Sequence, residues 1–170
     1  MNVIFRVLLS LTSTFWMVIV YAIKGKMTIE PVPYYIIHIA LILILIFLSY
    51  STLFLLKYFG NESLESCKEI SLADNEFLSV YLGYFFVSLS VPDNYTMIMV
   101  YLLVFVFTYL SQTRYFNPIY ILFGYHYYDI VTVQGTKIFV IKKGSIIRNK
   151  EYINLKKLKR INDTTFIERG

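Results

Sequence analysis

"RYFNPIYILFGYHYYDI", residues 114–130, decides where the lipid-compatible part of this chain ends and a different structure begins. The stretch is apolar enough for a bilayer. It also holds a proline, a glycine, a histidine, an aspartate and five tyrosines. Proline lacks an amide proton and pushes the residue before it to extended backbone, so Asn117-Pro118 ends a helix arriving from the N-terminal side near Tyr115. Residues 119–123 are too few to cross a hydrocarbon core ~30 Å thick. Gly124 supplies a turn with positive φ or a close backbone approach. Tyrosines 115, 120, 125, 127 and 128 suit the headgroup zone, where a ring is buried and its hydroxyl hydrated. The segment reads as a membrane-surface elbow that joins a last helix to a β unit.

Upstream of the elbow the chain is written for lipid. It is 57% hydrophobic and 16% charged, with a mean hydropathy of +0.59, whereas soluble domains are about a quarter charged. Four apolar segments qualify as spans: 7–23, 34–56, 77–91 and 95–111. Val20-Tyr21-Ala22 resembles a signal-cleavage site, but the first run is long for a signal peptide and is read as a span. Pro92-Asp93-Asn94 alone separates the last two segments. Proline stops one helix, and Asp93 or Asn94 can cap the next, which makes a tight hairpin with short arms.

Charge sets the expected orientation. Residues 1–111 hold five Lys/Arg and seven Asp/Glu, while residues 112–170 hold eleven and four, so body and tail are −2 and +7. With the tail inside, fourteen basic residues stay cytoplasmic and two, Lys24 and Lys26, lie outside, as the excess of Lys/Arg in cytoplasmic loops requires. Both termini are then cytoplasmic. The loop 57–76 is net −3 and faces the +7 tail. The two would attract each other within or between subunits, or the loop is simply solvated.

Downstream the pattern changes from continuous to alternating. Strands are expected over 127–133 and 136–142, with a two-residue turn at Gln134-Gly135. A third strand is expected over 145–148 and a last one over 164–167. Leu155, Leu158 and Ile161 recur every three residues among Lys156, Lys157, Lys159 and Arg160. That spacing reads as one or two amphipathic helical turns. The fold class expected is therefore an all-α membrane bundle of four transmembrane helices (domain 1–116) with a small basic C-terminal cytoplasmic β-rich, α+β domain (117–170).

Chemistry-bearing motifs are absent. No nucleophile elbow, zinc-protease motif, P-loop or dinucleotide fingerprint occurs. No catalytic residue, metal site or cofactor is expected, and the chain does not read as an enzyme. The single cysteine, Cys67, leaves no internal disulfide and no cysteine-based metal cluster. His38, one turn inside the second segment, is an intramembrane polar candidate; a neutral ring bonded to a neighbour is the plainer reading. Ser10, Thr12, Ser13 and Thr14 form a polar cluster that could face an oligomer axis. Lys156, Lys157, Lys159 and Arg160 suit contact with anionic lipid or an acidic partner. No aromatic platform is interleaved with them, which argues against direct nucleic-acid binding.

The elbow carries a resemblance. Asn117-Pro118 after the last apolar helix, the apolar run 119–123, then Gly124-Tyr125 and Tyr128, together with a short β-containing tail, resemble the KwaA family. KwaA proteins are the membrane subunits of the two-component Kiwa anti-phage system. The resemblance implies a homo-oligomeric inner-membrane sensor, a tetramer, that detects phage-induced membrane disturbance. It would act with KwaB, a soluble cytoplasmic DNA-binding partner. It implies Asn117, Pro118, Gly124, Tyr125 and Tyr128 as the transmission motif and offers no catalytic residue. Two alternatives remain open at this point: a pore-forming membrane effector or channel subunit, and a membrane protein that confers immunity to a toxin.

Overall fold

A computed structural model describes residues 3–28, 30–64, 66–110, 114–147 and 155–168, without the side chain of Lys156. The chain divides into two compact units. One is helical, over Asn2–Leu53 and Leu78–Phe116; the other is a sheet unit over Phe54–Phe77 and Asn117–Gly170.

The helical unit contains α1 (Val3–Thr14), α2 (Trp16–Lys24), α3 (Tyr34–Leu55), α4 (Glu76–Ser90) and α5 (Asn94–Leu110), except that the last two residues of α3 and the first two of α4 belong to the sheet unit. α1 and α2 form one run interrupted at Phe15. The hydroxyls of Thr12, Ser13 and Thr14 donate back to the carbonyls of Leu9, Ser10 and Ser10 at 3.0, 3.0 and 2.9 Å, a competition that bends helices. α5 runs antiparallel beside α1 and α2. Arg6 reaches the Tyr109 carbonyl, Thr14 lies 3.4 Å from the Tyr101 hydroxyl, and Tyr21 donates to Asn94 at 2.8 Å. The α4–α5 turn is capped as its sequence suggests, because Asp93 accepts from the Thr96 amide and hydroxyl.

Two helices among the described residues are long and apolar enough to cross a membrane: Val3–Lys24, taken through Phe15, and Tyr34–Tyr58. α4 and α5 are 15 and 17 residues, short of the ~20 that a span needs. This corrects the expected four-helix transmembrane bundle. The expected small C-terminal domain is corrected as well, because the sheet also takes strands from the acidic loop.

Among the described residues the sheet has six strands: β1 (Asn61–Leu64), β2 (Cys67–Leu72), β3 (Tyr125–Thr132), β4 (Lys137–Lys143), β5 (Leu155–Arg160) and β6 (Thr165–Glu168). Their order is β1-β5-β6-β4-β3-β2, with β4 and β6 parallel and every other pair antiparallel. β1 and β2 are therefore the two edges, yet Cys67 follows Leu64 by three residues. Three steps of chain reach at most ~11 Å. The edges of a flat six-stranded sheet would stand ~24 Å apart. The sheet must curl. β1 and β2 also run in the same direction, as two halves of one bent strand whose first half pairs with β5 and whose second half pairs with β3. Counted so, the order around the sheet is first, second, third, fifth, fourth and back to the first. That is a partly open five-stranded Greek-key barrel, the topology of OB folds. The α4–α5 hairpin is inserted between its first and second strands.

The barrel interior holds Tyr128, Ile130, Ile138, Val140, Leu155, Leu158 and Phe166, all buried, against Leu64, Cys67 and Ile70. Leu155 and Leu158 both reach it although three residues apart, because β5 has a bulge. Leu155 pairs with Leu64 and Leu158 with Glu62, so three residues oppose two. This replaces the expected helical turns at 155–161. Residues 145–147 form no strand, and Arg148 lies outside the described residues.

Candidate functional site

The elbow is the part of the sheet unit that joins the chain on both sides of the hairpin. Pro118 does not merely end a helix; it begins one. α6 (Pro118–Leu122) has Asn117 as its cap, with the Asn117 carboxamide oxygen accepting from the Ile119 amide at 3.0 Å and Pro118 at the first helical position. Gly124 ends it at φ +77°. A Cβ there would meet nothing within 4 Å, so the glycine is required by backbone conformation and not by space. Its carbonyl accepts from the Gly144 amide at 3.0 Å, which ties the elbow to the turn after β4.

Tyr125 and Tyr128, three apart, leave β3 on opposite faces. Tyr125 packs outside the barrel against Tyr120, ring centroids 5.9 Å apart. Tyr128 points inside, and its hydroxyl accepts from the Ile147 amide at 3.0 Å. Tyrosines 115, 120, 125, 127 and 128 are all buried in protein, each at most 4% exposed. The expected headgroup placement is thereby corrected: these rings pack on protein, where ring contacts are available and the hydroxyls of Tyr127 and Tyr128 find backbone partners.

Ala73 and Asp74 were given no role in the sequence reading, and Tyr127 was read there only as one of the headgroup tyrosines. Tyr127 is fully buried and stacks on Phe139, with centroids 5.7 Å apart and planes 9° apart. Its hydroxyl accepts from the Asn117 amide and donates to the Asn117 carbonyl, both at 2.8 Å. Asn117 is extended (φ −141°, ψ 111°), which turns its N–H and C=O to the same side. The Tyr127 backbone faces the other chain passage. Its carbonyl accepts from the Ala73 amide at 2.8 Å, and its amide donates to the Asp74 carboxylate at 2.7 Å. The second Asp74 oxygen meets His126 Nδ1 at 2.6 Å. Burial pushes the Tyr127 hydroxyl well above its ordinary range, against the lowering effect of the Asn117 backbone bond. Tyr128 is raised for the same reason, opposed by the Ile147 amide. Ala73 and Asp74 precede α4 and Asn117 follows α5, so the chain on either side of the hairpin is bonded to one tyrosine.

The remaining candidates are separate from this cluster. Lys159 donates to the Phe59 carbonyl at 2.5 Å. Arg160 lies 3.1 Å from Asp163 and 3.8 Å from Glu62. These two cations tie β5 to its own turn and to the acidic loop. Lys157 is exposed at the bulge, and the side chain of Lys156 lies outside the described residues. In the helical unit His38 Nε2 lies 3.0 Å from the Ala22 carbonyl; a carbonyl only accepts, so this nitrogen carries the proton. Ser10, Thr12, Ser13 and Thr14 are buried within that unit.

Fold and site together define a protein of apolar helices in which a helical hairpin is inserted between consecutive strands of a Greek-key barrel. The sequence profile of the family described as "Anti-phage protein KwaA" matches residues 5–167, and the chain belongs to that family. Its role is in anti-phage defence. Comparison with curated proteins and with solved structures returned no significant match.

Proposed function

We propose that the chain is the inner-membrane sensor and anchor of an anti-phage assembly, which detects membrane disturbance and relays it to the cytoplasmic DNA-binding partner KwaB. One observation carries the reading: an apolar hairpin is inserted between two hydrogen-bonded neighbours, β2 and β3. Any displacement of one arm against the other loads that strand pair.

Several features support a membrane setting. α3, α4 and α5 expose large apolar side chains such as Phe47, Phe86 and Phe107, at 70%, 62% and 64%. Such a surface is costly in water, at roughly 25 cal/mol per Å². Because β2 and β3 pair, the hairpin leaves from and returns to one side. With Val3–Lys24 and Tyr34–Tyr58 as crossings, that side is cytoplasmic by the distribution of Lys/Arg, and both termini share it. A homo-oligomer would cover part of the exposed apolar surface, and lipid would cover the rest. The short arms make the hairpin responsive to bilayer thickness, provided the disturbed bilayer stabilises one arrangement over the other. The pore reading gains little from α1, where the hydroxyls of Thr12, Ser13 and Thr14 turn back onto carbonyls of their own helix.

Pull-down of the tagged chain from native membranes tests the proposal. Wild type should capture a cytoplasmic partner. If deletion of residues 117–170 leaves that partner bound, the barrel is not the relay.

A further inference from the structure

Resting on the sensor reading above, we propose that Tyr127 is the coupling residue of the device: a latch whose hydroxyl holds the returning arm while its backbone holds the departing one. The hydrogen bonds are divided by chemistry. Ala73 and Asp74, on the β2 side, bind the main chain of Tyr127. Asn117, on the α6 side, binds its phenol through its own main-chain N–H and C=O. Movement of both arms together leaves all four bonds intact. Shear of one arm against the other separates the phenol from Asn117, because the Ala73–Tyr127 main-chain bond continues the β2–β3 ladder and the Asp74 carboxylate adds a charged second hold, so that side is the harder to displace. The latch is therefore selective for relative motion of the arms.

Asn117 is 1% exposed and Tyr127 0%. Parting the phenol from Asn117 therefore breaks two hydrogen bonds in a buried place, where lost bonds are costly, although the Asn117 carbonyl keeps the Tyr120 amide at 2.9 Å. Asn117 itself cannot supply the same control. Its side chain caps α6 through Ile119, and substituting it leaves its backbone bonds to Tyr127 in place.

Tyr127→Phe is the test. The substitution keeps the ring on Phe139 and deletes the hydroxyl alone. In full-length protein in nanodiscs, amide exchange in the peptide containing Asn117 should quicken ~tenfold, as expected for loss of a bond of ordinary strength. Exchange over β4 and β6 should stay as in wild type. In cells the variant should insert and capture its cytoplasmic partner normally, yet lose protection against phage. Asp74→Ala, which weakens the hold on the other arm, should lose protection likewise. Full protection by Tyr127→Phe, with exchange at Asn117 quickened, overturns the latch while leaving the sensor reading intact. So does quickened exchange throughout the barrel, which would make the hydroxyl merely structural. Failure of partner capture in the wild type would instead remove the sensor reading itself.

Discussion

Acidic loop and basic tail share one sheet, and their opposite charges invite an electrostatic explanation that the geometry does not favour. The perturbations that separate the two explanations are Glu62→Lys and Leu158→Ala, at residues paired across β1 and β5. Arg160 and Glu62 stand 3.8 Å apart with about half of each side chain in water, 51% and 47%. Pairs so exposed contribute ~0–1 kcal/mol. Leu158 is 2% exposed in the barrel interior, and truncation of such a leucine costs ~2–5 kcal/mol. At about 3 kcal/mol, a process requiring the barrel to open becomes roughly a hundredfold more frequent. Amide exchange of the full protein in nanodiscs, followed on peptides from β1, β5 and β6, reads this directly. Leu158→Ala should accelerate all three together. Glu62→Lys should change them by less than about fivefold. Equal acceleration by the two substitutions would refute the reasoning, because charge and not burial would then hold the loop.

Two other outcomes follow from the elbow. Gly124→Val meets no steric obstacle but forces a β-branched residue to φ +77°. It should lower the melting temperature of the barrel by an amount corresponding to ~1–2 kcal/mol, with Gly124→Ala milder and membrane insertion unchanged; an unaltered melting curve would show that the turn is not required. The second concerns alkali. The folded Tyr127 titrates above its unfolded value near ~10. Its contribution is therefore complete below that value and is lost as pH rises toward the folded one. Tyrosinate absorbance should show cooperative ionisation together with unfolding above that point, and Tyr127→Phe should shift the transition; independent, gradual titration of all tyrosines would contradict it.

The elbow's position was legible because Asn117-Pro118 and Gly124 are punctuation that local backbone chemistry enforces. The strands β3 and β4 were legible for a similar reason, since β-branched and aromatic residues cluster on both sides of Gly135, and β6 shows the same residue types over 164–167. The misreadings share a cause. Bulges in β5 and β2 stretch the inward spacing from two residues to three. Leu155 and Leu158 therefore imitate a helix, and Cys67 and Ile70 in a polar segment show no alternation at all. Pairing between residues 61–72 and a tail beginning some fifty residues later leaves no local trace. Asp74 was counted as one charge of an acidic loop, although its role depends on Tyr127, a partner that only the pairing brings near. The tyrosines invited a headgroup reading because their amphipathic chemistry suits an interface and a hydrogen-bonded core equally well.

The loop between the apolar helices and the tail after them form one sheet within one chain. Cys67 is the chain's only cysteine, and its cross-strand partner is Thr132. Opposed residues of antiparallel strands have Cα atoms ~4.5–5.5 Å apart, within the range a disulfide accepts. Mild oxidation of Thr132→Cys in native membranes should give an intramolecular cross-link, seen as a faster-migrating monomer that reductant reverses, while Thr136→Cys gives none. If Thr132→Cys fails to cross-link, or joins only one chain to another, the barrel described here does not exist in the membrane.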